Sequence, residues 1–202
     1  MKLTIGKTAP AQPSGRLECL NWPDKFPYKP DVAFRAWHDG KVLHLSYEVE
    51  EQSVKAEEGT PGKAVYKDSC VEFFIKPSAD DPHYYNFEWN AIGTLYLAYR
   101  TGRKDPEEAP AEVLESVKAV SSLGGEPFSE RKGDVRWTLD IEIPVEALWK
   151  SGLKAWDGLK AFANVYKCGD GLSVPHYVTW APVKTENPDY HRPEFFVGVE
   201  FE

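Results

Sequence analysis

Two neighbouring segments of the chain, residues 68–75 and 84–94, constrain the fold more than any other part of the sequence. Both are dominated by aromatic and β-branched residues, which predicts a pair of β-strands. Side chains along a strand point to alternate faces, so the second segment divides into two sets. One face carries Tyr85, Phe87 and Trp89, and the opposite face carries Asn86, Glu88 and Asn90. The first face is suited to a core, whereas the second is either a solvated sheet surface or the floor of a polar-ligand site.

The length and charge of the chain restrict its domain organisation and its partners. No change of composition marks a boundary within the 202 residues, so we predict a single domain over residues 1–202. The formal net charge of -8 argues against nucleic acid and against an anionic membrane surface as partners. No apolar run approaches the roughly 20 residues that span a bilayer, so we expect no membrane insertion.

The cysteines give no sign of a cofactor. Cys19, Cys70 and Cys168 are widely spaced and form no CxxC pair, so the sequence predicts no structural zinc site, and we expect no metal or other cofactor. Cys70 lies within a strand pattern and is expected to be a small buried hydrophobic residue. The first residues contain no apolar signal-peptide core. The localisation is therefore open between a cytoplasmic protein and a secreted or periplasmic one whose signal has been removed.

Other parts of the chain repeat the strand pattern. Residues 32–37 and 42–49 flank Asp39-Gly40, and Asp-Gly between two β-patterned runs is a strong hairpin signal. Residues 135–143 alternate between hydrophobic and polar side chains. These patterns predict an all-β fold, an antiparallel β-sandwich of immunoglobulin-like or jelly-roll-like type with roughly nine to eleven strands.

Four segments are predicted to depart from this pattern. Residues 1–30 are rich in proline and predict an irregular N-terminal arm, while the charged residues 50–67 predict a loop. Residues 113–123 predict a strand, with a helix beginning near Glu112 as the alternative. Residues 144–149 predict a short helix that begins with proline.

Two tyrosines stand outside the strand patterns that supply core aromatics. Tyr66 precedes the first segment in a polar run that contains glycine, and Tyr190 lies in a polar loop near the C-terminus. One interpretation is that both rings cover the ends of the sandwich. The other is that they form a stacking platform for a sugar, because the apolar C–H groups of a pyranose pack on the face of an aromatic ring.

The carboxylates of the strands allow a hydrolytic alternative. Glu72 and Glu88 fall in the two predicted strands, residues 68–75 and 84–94. A glycosidase needs two carboxylates on either side of the scissile bond, about 5 Å apart for retention or about 6.5–9.5 Å apart for inversion. The sequence does not show whether any pair meets this requirement.

The first segment, Asp-Ser-Cys-Val-Glu-Phe-Phe-Ile, resembles the D-S-V-E-F/I-F-I strand of the family 9 carbohydrate-binding modules. Three later parts of the chain follow in the order found in that family. They are the second segment, residues 178–180 and the ending His-Arg-Pro-Glu-Phe-Phe-Val-Gly. The resemblance runs from about residue 30 to the end of the chain. It implies a β-sandwich that binds a mono- or oligosaccharide by holding the terminal sugar between two aromatic rings, with a glycoside hydrolase as a possible partner.

The resemblance also implies a set of sugar-binding residues. By position in the family pattern, the two rings are Tyr66 and Tyr190. The polar contacts are Glu72, Glu88, Asn90 and Asn164. Both ring positions are usually tryptophan in the best-known members, and Glu88 replaces a basic residue, so the ligand is expected to differ. Some members contain calcium, but no loop here has the clustered oxygen ligands that calcium requires.

Three functions remain open on the sequence alone. The first is a non-catalytic carbohydrate-binding domain with Tyr66 and Tyr190 as a clamp. The second is a glycan-processing hydrolase that uses Glu72 or Glu88. The third is a structural or interaction domain that has kept the fold and lost the ligand, since fold alone does not establish function.

Overall fold

The computed structural model describes residues 2–202 and contains two β-sheets, one short α-helix and three 3₁₀ helices. The strands are β1 (Lys2–Ile5), β2 (Gly15–Arg16), β3 (Asp31–His38), β4 (Val42–Ala56), β5 (Cys70–Lys76), β6 (Tyr84–Asn90), β7 (Leu95–Arg100), β8 (Glu107–Glu108), β9 (Lys118–Ser121), β10 (Phe128–Pro144), β11 (Lys160–Cys168), β12 (Tyr177–Thr179) and β13 (Val197–Phe201). The helix α1 is Ala111–Ser116, and the 3₁₀ helices are Val65–Lys67, Val145–Ala147 and Pro193–Phe195.

The two sheets confirm the predicted antiparallel β-sandwich. The large sheet has the order β1-β13-β11-β5-β6-β7-β8, with β12 also paired to β11, and the small sheet has the order β2-β3-β4-β10-β9. The pair β1 and β13 is parallel, whereas the other strand pairs within residues 2–202 are antiparallel. The strand number exceeds the predicted range because β2 and β8 have two residues each, too few to show a period in the sequence.

The predicted hairpin around Asp39-Gly40 joins β3 to β4. Gly40 has a φ of 97°, in the left-handed region that a residue without a Cβ adopts readily. The Asp39 carboxylate accepts hydrogen bonds of 2.8 Å from the backbone N–H groups of Lys41 and Val42. The aspartate thus closes the turn that its glycine neighbour makes possible.

The core between the sheets contains the apolar faces that alternation predicts. From β10 it receives Trp137, Leu139, Ile141 and Ile143, and from β6 it receives Tyr85, Phe87 and Trp89. All seven side chains are at most 2% exposed. Burying a large apolar side chain contributes about 1.5–3 kcal/mol, so these two strands are a major source of stability.

The outer face of the large sheet is also covered, which the sequence did not predict. A second apolar cluster lies there and includes Trp22 from the N-terminal segment, Phe74 from β5, Tyr166 from β11 and Tyr190 from the C-terminal segment. Every residue of β6 is buried as a result. The polar face of this strand is therefore not a solvated surface.

Several predicted segment boundaries are wrong for identifiable reasons. The loop predicted over residues 50–67 is strand as far as Ala56, because β4 continues to pair with β10 as far as the partners Ala56 and Phe128. The strand predicted over residues 113–123 is the helix α1 followed by β9, which is close to the alternative. The helix predicted over residues 144–149 is a single 3₁₀ turn, Val145–Ala147.

The N-terminal segment predicted to be irregular contains two short strands. β1 pairs with β13, and β2 pairs with β3, so the segment connects both sheets. Trp22 anchors it to the outer apolar cluster and donates a hydrogen bond of 2.8 Å from its indole Nε1 to the carbonyl of Thr185. Among residues 2–202, no helix has the length and apolar character needed to cross a membrane.

Candidate functional site

A cavity of about 540 Å³ opens on the outer face of the large sheet. Its aromatic lining consists of Tyr66, Tyr96, Tyr177, Tyr190 and His191. Its charged lining consists of Lys63, Glu72, Glu88, Arg100, Arg103, Glu108, Asp170 and Asp189. Binding sites for small molecules have volumes of about 300–1,000 Å³, so the cavity can take a ligand of that class.

The floor of the cavity is built by two glutamates from adjacent strands. Glu72 on β5 and Glu88 on β6 are directly opposite each other in the antiparallel register, so both side chains leave the same face of the sheet. Glu88 accepts a hydrogen bond of 2.7 Å from Asn86 Nδ2, and Glu72 accepts one of 3.1 Å from Cys168 Sγ. Of the predicted polar row, Glu88 thus lies at the base of a cavity.

Burial changes the protonation of this glutamate pair. It raises the pKa of Glu72 well above its usual range, and the nearby Glu88 carboxylate raises it further. Burial also raises the pKa of Glu88 to about 7, although Asn86 and the guanidinium of Arg100 act in the opposite direction. A carboxyl group that keeps its proton can donate as well as accept a hydrogen bond.

Tyr66 supplies the most accessible aromatic surface of the cavity. It lies in the 3₁₀ helix Val65–Lys67, directly before β5, and is 40% exposed. The buried Val65 anchors this helix beneath it. The sequence position of Tyr66 in a polar loop therefore corresponds to an exposed ring at the mouth of the cavity.

Tyr190 lines the same cavity but is not a loop-tip residue. Its side chain is 7% exposed, and its ring stacks on Tyr166 with centroids 4.2 Å apart and planes at 14°. Its hydroxyl donates a hydrogen bond of 2.9 Å to the carbonyl of Lys167. One ring face is therefore covered, and the ring forms a fixed wall.

Asn90 and Asn164, the two predicted amide contacts, do not line the cavity. Asn90 Nδ2 donates to the Glu58 carbonyl at 2.7 Å and to Asp68 Oδ2 at 2.9 Å, and Oδ1 accepts from the backbone of Thr94 at 3.0 Å. Asn164 exchanges two hydrogen bonds with the backbone of Ala181, at 3.1 and 2.9 Å. Both amides are occupied by the polypeptide, so the structure brings together four of the six predicted site residues.

Several cavity residues were not found from the sequence. Tyr96 and Arg100 belong to β7, where Tyr96 is directly opposite Glu88. Residues four apart on a strand share a face, so the alternation that identified Glu88 could also have identified these two. Asp170 and His191 come from loops, and Tyr177 is the first residue of β12. No sequence pattern indicated that these three residues lie near the glutamates.

Arg100 is a buried cation in this wall. It is 6% exposed, its Nη2 donates to the Tyr96 hydroxyl at 2.9 Å, and its Nη1 donates to the Arg103 carbonyl at 3.2 Å. Over residues 2–202, no carboxylate oxygen lies within salt-bridge distance of its guanidinium. Its charge therefore remains available to act on the cavity and on Glu88.

One group of possible metal ligands adjoins the cavity. Cys70, Glu72 and Cys168 each offer one donor atom, and these atoms lie within 4.8 Å of one another. Glu72 and Cys168 line the cavity, whereas Cys70 is fully buried behind them. Sulfur and carboxylate oxygen together suit zinc-like ions better than calcium or magnesium.

The fold and the cavity define a β-sandwich binding module with an aromatic and polar pocket on one sheet. A family model described as carbohydrate-binding family 9 matches residues 8–201. The chain therefore belongs to carbohydrate-binding family 9, which confirms the resemblance found in the sequence.

Solved structures agree with this membership. A solved structure of a Bacteroides uniformis protein is 39% identical in sequence and has a TM-score of 0.92, over 100% of this chain and 99% of that one. Carbohydrate binding is provisionally ascribed to that protein. A family 9 module from Caldicellulosiruptor kristjanssonii has been solved with cellotriose and with glucose. At 11% identity, these two structures share the fold, with TM-scores of 0.60 and 0.59 over 100% of this chain and 94% and 96% of theirs. No curated protein matches the chain.

Proposed function

We propose that this protein is a non-catalytic carbohydrate-binding domain that holds a mono- or oligosaccharide in the cavity on its large sheet. The observation that carries the proposal is the open cavity of about 540 Å³, which joins the exposed ring of Tyr66 to the polar floor of Glu72 and Glu88. A neutral sugar needs both components, because its C–H faces are apolar and its hydroxyl groups require hydrogen-bond partners.

In this proposal Tyr66 and Tyr190 have different roles. Tyr66 is 40% exposed and provides the stacking face. Tyr190 is fixed by its contact with Tyr166 and offers the part of its ring that this neighbour leaves uncovered. Glu72, Glu88 and Arg100 then contact the hydroxyl groups, and Asn90 and Asn164 support the fold. A domain that had lost its ligand would show a filled or collapsed pocket. The cavity here is open.

The first ligands to test follow from the family neighbours. The Caldicellulosiruptor module has been solved with cellotriose and glucose, so glucose and short cello-oligosaccharides are the first choice. The different floor, with Glu88 in place of a basic residue, makes other hexoses necessary in the same panel. Association with a glycoside hydrolase stays a prediction.

The position of the glutamate pair favours binding over hydrolysis. Glu72 and Glu88 are neighbours on one face of one sheet. A glycosidase places its two carboxyl groups on either side of the scissile bond. A sugar lying on this floor would meet both groups from the same side.

Calorimetric titration of the protein with this panel tests the proposal. We expect binding that Tyr66→Ala weakens at least tenfold, because stacking on this ring is lost. The matched control is Phe162→Ala, since Phe162 on β11 is 37% exposed and does not line the cavity. Absence of heat with every sugar, or equal loss in both variants, would contradict the proposal, and release of shorter sugars during incubation would favour a hydrolase.

A further inference from the structure

We propose that Cys70, Glu72 and Cys168 form a binding site for one thiophilic divalent cation of the Zn²⁺ class at the base of the cavity. The site adjoins the proposed sugar site and shares Glu72 with it, whereas the thiol of Cys70 is buried where the cavity does not reach. Its position was not visible in the sequence, where almost a hundred residues separate the two cysteines.

The strand register brings the three ligands together. Cys70 on β5 is directly opposite Cys168 on β11, and Glu72 follows two residues later on the same face of β5. The three donor atoms lie within 4.8 Å of one another, and Cys168 Sγ is 3.1 Å from Glu72 Oε1. Tetrahedral zinc, with bonds of about 2.0–2.3 Å, requires ligand atoms roughly 3.5–3.8 Å apart. Small side-chain rotations therefore suffice to close the set around an ion.

The donor atoms select the class of ion. Two thiolates are soft ligands and suit zinc, cadmium and cobalt, whereas calcium and magnesium require oxygen ligands. Three protein ligands leave one coordination position open. Asp170 lines the same cavity two residues after Cys168, so either its carboxylate or water from the cavity can occupy that position.

The surroundings of Glu72 also favour a cation. Its side chain is 3% exposed, and its hydrogen-bond donor is the thiol of Cys168, a weak donor. Within the described residues 2–202, no lysine, arginine or histidine nitrogen lies within salt-bridge distance of Glu72. A buried carboxyl group without a strong partner is unfavourable, and a bound cation supplies that partner.

The binding step is balanced without any oxidant or reductant. Each thiol loses one proton as its sulfur forms a bond to the divalent ion, and the two protons pass to the buffer. If Glu72 holds a proton, a third proton is released. The ion and the sulfurs keep their oxidation states throughout.

Titration of the reduced, metal-free protein with Cd²⁺ and Co²⁺ tests the proposal. We expect thiolate-to-metal charge-transfer absorption that saturates at one ion per chain and is displaced by Zn²⁺, together with a rise in the melting temperature. The wild-type protein alone gives this readout, so no variant needs to fold for the test to be decisive. Absence of the charge-transfer band would overturn the proposal.

Variants then assign the ligands. We expect Cys168→Ser and Glu72→Gln each to weaken Cd²⁺ binding at least tenfold, whereas Cys19→Ser leaves it unchanged. Cys19 is the matched control because it is the remaining cysteine and lies outside the cluster. An unchanged band in folded Cys168→Ser would overturn the assignment, as would a Cys70–Cys168 disulfide found in the native protein by peptide mapping. Sugar binding is measured separately by calorimetry, so either result can fail alone.

Discussion

The ring of Tyr190 stacks on the ring of Tyr166, with centroids 4.2 Å apart and planes at 14°. Tyr166 is fully buried on β11, so the cavity wall formed by Tyr190 is attached directly to the large sheet. The hydroxyl of Tyr190 adds a hydrogen bond of 2.9 Å to the carbonyl of Lys167 on the same strand. The wall is therefore rigid, whereas Tyr66, in the 3₁₀ helix that precedes β5, is exposed.

Tyr190→Phe tests the role of the Tyr190 hydroxyl separately from that of the ring. The substitution removes the hydrogen bond to the Lys167 carbonyl and keeps the stacking on Tyr166. We expect the free energy of unfolding to fall by about 1–2 kcal/mol, because a buried acceptor loses its donor. Urea denaturation measures the loss, and calorimetry should show sugar affinity close to that of the wild type. A large loss of affinity without loss of stability would show that the hydroxyl itself contacts the ligand.

The two predicted amide contacts allow a test of structural against ligand-binding roles. Asn90→Ala leaves the Asp68 carboxylate, the Glu58 carbonyl and the Thr94 amide without their partner. We expect a loss of roughly 2–4 kcal/mol in the free energy of unfolding. Sugar affinity, measured at a temperature where the variant is folded, should stay within about twofold. A selective loss of affinity would restore Asn90 as a sugar contact.

Much of the fold was predictable because period-two patterns survive wherever one sheet face is apolar. The alternation in β10 and the Asp39-Gly40 turn identified their elements correctly. The end of β4 was missed because pairing with β10 overrides the polar composition of residues 50–56. The burial of the outer face was also missed, since Trp22 and Tyr190 reach it from distant segments.

The candidate site was predictable only in part. Glu72 and Glu88 follow from strand alternation and the family pattern, and both lie on the cavity floor. Asn90 has the same alternation but meets Asp68 at the end of the sheet, where the loop before β5 occupies its amide. A period shows which face a side chain leaves and gives no information about what covers it. For that reason Asp170, which lies in a turn after β11, needed the three-dimensional structure.

A buried ion pair lies on the other face of the large sheet. Lys167 Nζ is 2.8 Å from Glu51 Oε2, and both side chains are 0% exposed. Glu51 Oε1 also accepts a hydrogen bond of 2.7 Å from Trp137 Nε1. Removing one partner leaves an uncompensated charge, so we expect Lys167→Met and Glu51→Gln each to lower the free energy of unfolding by about 3–5 kcal/mol.

The double variant of this pair measures the coupling. Lys167→Met combined with Glu51→Gln removes both charges, so we expect it to be more stable than the sum of the two single losses implies. Chemical denaturation of the four proteins completes the cycle. Additive losses would mean that the two charges do not interact, contrary to their geometry.

His191 predicts how stability depends on pH. Burial lowers the pKa of His191 to about 3, and the charges of Arg100 and Arg103 act in the same direction. In the unfolded chain the pKa is about 6.5. Between these two values the unfolded state binds a proton that the folded state does not, so this contribution to stability is complete above pH 6.5. It is lost as the pH falls from 6.5 towards 3, by about 1.4 kcal/mol for each pH unit.

His191→Asn removes this titration and keeps a polar atom for the Tyr84 hydroxyl, which lies 2.9 Å from His191 Nδ1. Other groups also titrate in acid, so the informative quantity is the difference in the free energy of unfolding between the wild type and the variant. We expect that difference to shift in favour of the variant by about 2 kcal/mol between pH 7 and pH 5. Urea denaturation at both values measures it. A difference that does not change with pH would show that His191 binds a proton equally in the folded and unfolded states, so that its pKa is not lowered by the packing on Phe74, whose ring centroid is 5.2 Å away.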